Sequence, residues 1–128
     1  MSVADTKPKR KRVLVADDDL AQRRMLQFCL EQLGYEVTTA SDGARALALA
    51  MTRKFDAVML DYEMPNMDGL ETLQEIRKEE GYAETFIIIL TGHTQDDLVY
   101  SAYVNGVDMY LTKPIDMKML ARIFKRSV

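Results

Sequence analysis

The chain has 128 residues, of which 48% are apolar and 29% charged, with a formal net charge of −3. That leaves room for one domain with a proper core and no second, excludes a disordered composition, and gives no global attraction to nucleic acid or anionic membrane. The lone cysteine, Cys29, cannot form an internal disulfide, and no apolar run reaches membrane-spanning length, so a cytoplasmic protein is expected.

Residues 1–11, MSVADTKPKRK, read as a polar, flexible leader, and residues 12–128 as the domain proper. Lys7, Lys9, Arg10, Lys11 and Arg12 make the leader locally basic; a solvated tail is expected there, with no direct nucleic-acid contact. The apolar run VLVA (13–16) predicts a first strand buried on both faces. Leu26, Cys29, Leu30 and Leu33 then recur at helical spacing and predict a helix burying all four. YEVTTA (35–40) is more mixed and predicts an edge strand. Ala44, Leu47, Ala48 and Met51 predict the buried stripe of a second helix. AVML (57–60) is the third strand, and Leu70, Leu73 and Ile76 mark the third helix. FIIIL (86–90) is the fourth strand, followed by Leu98 and Ala102 on a helix. MYLT (109–112) is a second edge strand, and Leu120, Ile123 and Phe124 mark the last helix. Gly34, Gly81 and Gly106 fall where helices should stop. Met25, Met51, Met59, Met109, Met117 and Met119 are expected as core filler. Five βα units in so short a chain predict an α/β domain with one doubly wound, five-stranded parallel sheet and helices on both faces.

In such sheets the functional site lies beyond the carboxyl ends of the strands. Asp17-Asp18-Asp19 follow the first strand, Asp61 the third, Thr91 the fourth and Lys113-Pro114 the fifth. Two ionised carboxylates about 4 Å apart repel by roughly 4 kcal/mol at an effective dielectric near 20. Crowded acids on one rim therefore call for a proton or a hard cation, and Mg²⁺ suits a few carboxylates with water and a phosphate oxygen. Taken alone, the Asp run could simply cap a helix, which is the role expected of Asp19, and Asp61 could be a cap, a metal ligand or a nucleophile. Lys113 could be a surface lysine and Thr91 a strand-ending β-branched residue. Together, an acid nucleophile, a cation pocket, a lysine and a hydroxyl compose a phosphoryl-accepting set.

The motifs VLVADDD, LDYEMPNMDG, ILTG and YLTKP, at these spacings from about Arg12 onward, resemble those of two-component response-regulator receiver domains of the single-domain chemotaxis type. The resemblance implies a flavodoxin-like fold with strand order 2-1-3-4-5. It implies that Asp61 accepts a phosphoryl group from a sensor histidine kinase or histidine phosphotransfer protein, with Mg²⁺ as cofactor. Asp18 would then be a direct metal ligand with Asp61, Glu63 would contribute its backbone carbonyl, and Asp17 would act through water. Lys113 would contact the phosphoryl group, Thr91 would be the switch hydroxyl, and Tyr110 the aromatic that turns inward when Thr91 moves. The Lys113–Pro114 bond is similar to one that is cis in the family. A downstream protein would read the face made by the fourth helix, fifth strand and fifth helix, which Tyr100 and Tyr103 could widen.

The resemblance implies a signalling switch that is phosphorylated and dephosphorylated at Asp61, without enzyme turnover. Phe86 departs from the proline common before the fourth strand, which should affect that loop alone. Glu63 and His93 sit where the family tunes loss of the phosphoryl group, and His93 is expected to be exposed beside the site. The alternatives are a pseudo-receiver that binds partners without phosphorylation and an aspartate-nucleophile phosphohydrolase. The latter places a second Asp where this chain has Glu63. No output module follows the fifth helix pattern, so the chain is expected either to act alone or to be the receiver of a longer protein.

Overall fold

The computed structural model describes residues 9–92 and 95–128; the readings of Lys7 and His93 lie outside the described residues. Strands and helices alternate as β1 (Arg12–Ala16), α1 (Leu20–Gln32), β2 (Glu36–Ala40), α2 (Gly43–Thr52), β3 (Ala57–Asp61), α3 (Gly69–Lys78), β4 (Phe86–Thr91), α4 (Asp96–Val104), β5 (Met109–Thr112) and α5 (Met117–Ser127). All strand pairings are parallel and the order across the sheet is β2-β1-β3-β4-β5. The doubly wound α/β architecture and the 2-1-3-4-5 order are therefore as expected.

Alternate residues of each central strand feed two separate cores, which is why β1, β3 and β4 read as unbroken apolar runs. Leu14, Val58, Leu60, Ile87 and Ile89 pack with Ala46, Ala50, Leu73, Ile76 and Ala102 from α2, α3 and α4. On the other face, Val13, Val15, Met59, Ile88 and Leu90 pack with Leu26, Leu30, Leu120 and Phe124 from α1 and α5. Gly34, Gly81 and Gly106 have φ of 98°, 88° and 93°, the left-handed conformation that ends helices. Phe86 stands edge-on to Phe124, with ring centroids 6.4 Å apart.

Three expectations about faces need correction. In α2 the buried residues are Gly43, Ala46 and Ala50, whereas Ala44, Ala48 and Met51 face outward. The cause is close packing on α3: a Cβ at Gly43 would collide with the Thr72 hydroxyl and the Met67 carbonyl, so the smallest residues turn inward. Leu33 is 44% exposed, because it is the C-cap of α1 and the chain swings away at Gly34. Met25 and Met51, expected in the core, are 50% and 61% exposed. Among the described residues, no helix is long and apolar enough to cross a membrane.

Candidate functional site

Parallel strands deliver their last residues to one edge of the sheet. Asp17 follows the end of β1, and its N–H donates to the Ala40 carbonyl at the end of β2 (3.1 Å). Asp61 ends β3 in register with Leu90 of β4. Thr91 ends β4 and is buried, and its carbonyl accepts the Lys113 N–H at 2.7 Å, which pins the segment after β5 to the same edge. The Lys113–Pro114 peptide is cis.

The residues predicted at separate strand ends converge. Carboxylate oxygens of Asp17, Asp18 and Asp61 all lie within 4.8 Å of one another; Asp17 and Asp61 are buried and Asp18 is exposed. The Lys113 ammonium is 2.9 Å from Asp61 Oδ1 and 3.9 Å from Asp17 Oδ2. Asp19 caps α1 by accepting the Ala21 N–H, as expected, and also donates its own N–H to Asp17 Oδ1 at 2.9 Å. The other oxygen, Asp17 Oδ2, is buried without a hydrogen-bond partner. Glu63 is exposed two residues beyond Asp61, and Tyr110 is half-buried in β5 against the α2–α3–α4 core.

Electrostatics follow from this crowding. Burial, reinforced by the Asp61 charge, pushes the Asp17 carboxyl up to about 6 against the opposing pull of the Asp19 N–H and Lys113. Burial likewise raises Asp61, opposed by the hydrogen bond and charge of Lys113. Burial alone would lower the Lys113 ammonium; the bond and charge of Asp61, with the charges of Asp17 and Asp18, outweigh it and raise its pKa. One lysine thus faces three carboxylates. An orphaned buried oxygen within an all-oxygen donor set fits a hard divalent cation, and one of the size and charge of Mg²⁺ suits it.

The loop below Asp61 is shaped by backbone contacts. Tyr62 donates its N–H to the Leu90 carbonyl (2.7 Å), and its own carbonyl accepts the Gly69 N–H (2.8 Å). Asn66 takes φ of 71° at the turn after Pro65, and Asp68 and Glu71 form a reciprocal capping box that starts α3. A Cβ on Gly69 would stand 2.6 Å from the Asp61 carbonyl oxygen, so only glycine admits this approach.

One contributor escaped the sequence reading. Arg23 donates from Nη1 to the Asp17 carbonyl at 2.7 Å and anchors the acidic turn from α1. Its only sequence signal is a position one helical turn beyond Asp19, which does not distinguish it from the neighbouring Arg24.

Residues 13–125 match the family model described as the response regulator receiver domain. Over 115 residues the chain is 39% identical to the DNA-binding dual master transcriptional regulator RpaA of Synechocystis, covering 88% of this chain and 47% of that protein. The chain thus spans about half the length of that relative. The chemotaxis protein CheY4 of Vibrio cholerae is similar in structure, with a TM-score of 0.88 and 33% identity, covering 94% of this chain and 100% of that one. So is the receiver domain of a sensor histidine kinase from Pseudomonas aeruginosa PAO1, solved with magnesium coordinated in its active-site cleft. There the TM-score is 0.85 and the identity 29%, over 93% of this chain and 98% of that one.

Proposed function

This chain belongs to the response regulator receiver domain family, and from that premise we propose that Asp61 is its phosphoacceptor, served by a divalent cation, Lys113 and Thr91. Receiver domains are the phosphoryl-accepting switches of two-component systems, supplied by histidine kinases, and are not turnover enzymes. The observation that carries the assignment is the Lys113–Asp61 contact of 2.9 Å beside an acidic pair in which one buried oxygen accepts no hydrogen bond.

An oxygen of Asp61 attacks phosphorus of a phosphohistidine, the P–N bond breaks, and the imidazole leaves with the electron pair. In its ionised form, paired with Lys113, Asp61 needs no proton removed. As the phosphoryl group arrives, the Lys113 ammonium stays within reach of its oxygens and the Thr91 hydroxyl donates to one of them. Asp18, Asp61 and the Glu63 carbonyl would hold Mg²⁺, with Asp17 acting through water. When bound, that ion supplies neutralisation of the negative charge on the acids and on the transferring group.

Movement of Thr91 towards the site would free space for an inward rotamer of Tyr110. The α4–β5–α5 face would then exchange between two packings, and a partner preferring one of them reads the signal. The boundary at Arg12 and a cytoplasmic setting belong to the same reading.

The test is intact-mass measurement after incubation with Mg²⁺ and a small acyl phosphate. A single phosphoryl adduct is expected, absent in Asp61→Asn. No adduct with any donor would leave a pseudo-receiver, and continuous multiple turnover of the acyl phosphate would indicate a hydrolase.

A further inference from the structure

Away from the phosphoacceptor edge, an apolar cleft of about 350 Å³ opens between the C-terminal end of α1 and α5. It is lined by Leu33, Tyr35 and Ala121, with Arg122 and Lys125. Leu33 is the residue that helical spacing assigned to the core and that stands 44% exposed instead. The cleft wall is fixed: the Tyr35 ring stands on Phe124 at 5.4 Å between centroids, and its hydroxyl donates to the Phe124 carbonyl at 3.3 Å.

The basic run joins this surface. Lys11 donates from Nζ to the Val128 carbonyl at 2.8 Å, and its own carbonyl accepts the Glu36 N–H at 2.9 Å. Lys9, Arg10, Lys11, Arg122, Lys125 and Arg126 are all exposed. Lys11 is occupied by the Val128 main-chain oxygen, and among the described residues no side-chain carboxylate lies within ion-pair distance of any of the six. The two acids flanking the cleft wall in sequence are engaged elsewhere, Glu31 by Gln27 and Glu36 by Arg12. A chain with net charge −3 thus sets two exposed cations, Arg122 and Lys125, in the wall of an apolar concavity.

We propose that this cleft docks an acidic amphipathic helix of a partner protein. One leucine-like side chain enters between Leu33, Tyr35 and Ala121, and flanking carboxylates meet Arg122 and Lys125. An apolar anchor ringed by complementary charge is the usual chemistry of helix-in-groove recognition. Nucleic acid has no use for the apolar floor. A membrane requires a broad apolar face, and the apolar lining here is confined to Leu33, Tyr35 and Ala121. A second copy could present α4, whose Asp96 and Asp97 adjoin exposed Tyr100 and Tyr103; self-association is therefore one of the outcomes that the test reads. The site is independent of Asp61 chemistry, so it stands or falls separately from the phosphoacceptor reading.

The test is fluorescence anisotropy with a labelled, glutamate-rich peptide carrying leucines at helical spacing, beside its leucine-to-serine counterpart. The full chain should bind the leucine peptide at least about tenfold more tightly than the serine peptide, a difference that each buried apolar anchor readily supplies. The R122E/K125E double variant should weaken binding by about tenfold or more. Leu33→Ser should abolish the preference for leucine while its cooperative urea transition is retained, which shows the variant to be folded. Five results would overturn the proposal: no binding, equal affinity for both peptides, indifference to R122E/K125E, tighter binding of a DNA duplex or phosphatidylserine vesicle than of the peptide, or self-association abolished by Asp97→Lys.

Discussion

Asp17 and Asp61 are kept from water beside a single lysine, so their ionisation works against the fold until a cation arrives. With a folded pKa of about 6 against the ordinary 3.8, Asp17 holds its proton more tightly in the native than in the unfolded chain. Between about pH 4 and pH 6 the native state therefore binds the extra proton, and stability falls as pH rises through that window. The full effect is at most about 3 kcal/mol. In chelator, Asp17→Asn should be more stable than wild type near pH 7, with the gap closing near pH 4; urea unfolding at both pH values checks this, and a gap independent of pH refutes it. Added Mg²⁺ should reverse the penalty in the wild type. At a hundred times its dissociation constant, a ligand bound only by the native state adds about 2.7 kcal/mol. Asp18→Ala should lose most of that gain in a thermal melt, and a wild-type melt unmoved by Mg²⁺ would rule out the cation pocket.

At the scale of elements, the β3–α3 loop is set by how closely two backbones approach. The start of α3 sits so near the Asp61 carbonyl that an added methyl at Gly69 has only backbone to push against. Gly69→Ala should cost about 1–3 kcal/mol by overpacking. Gly92→Ala, where nothing lies within 4 Å among the described residues, should cost little. Comparison of the two urea midpoints isolates the contact from the general effect of replacing a glycine. The motif around Gly69 was legible in the sequence, and so was the cap at Asp68. The inward face of α2 was not, because in a helix of alanines every stripe is apolar and packing distance chooses between them.

Across the whole molecule, one side chain ties three segments that no local pattern connects. The Arg77 guanidinium, at the end of α3, donates to the Tyr82 and Thr85 carbonyls before β4 (2.7 and 2.6 Å) and to the Gly106 carbonyl after α4 (2.6 Å), and it pairs with Asp108 at 3.0 Å. Asp108 in turn accepts the Ile87 N–H at 2.8 Å. Arg77→Ala should cost about 2–3 kcal/mol, since part-buried carbonyls lose a charged donor. Arg77→Lys should recover little of it, because an ammonium cannot span a fork of four acceptors. Urea unfolding measures both, and full rescue by lysine would show that charge alone matters.

The sequence by itself determined the alternation of five strands and helices, the edge and central strands, the helix stops at glycine and the residue placed after each strand. These are properties of one element at a time, and periodicity reports whether a position meets core or water. The rim shared by Asp17, Asp18 and Asp61 was also expected from the sequence; tertiary structure alone decided the distances between them and that Arg23 braces the turn. It also decided that α2 turns Gly43 inward, that Leu33 leaves the core, and that Arg77 reaches residues about thirty positions away. Distances between elements depend on strand order, crossover direction and side-chain volume acting together, and none of these is written in the spacing of any single segment.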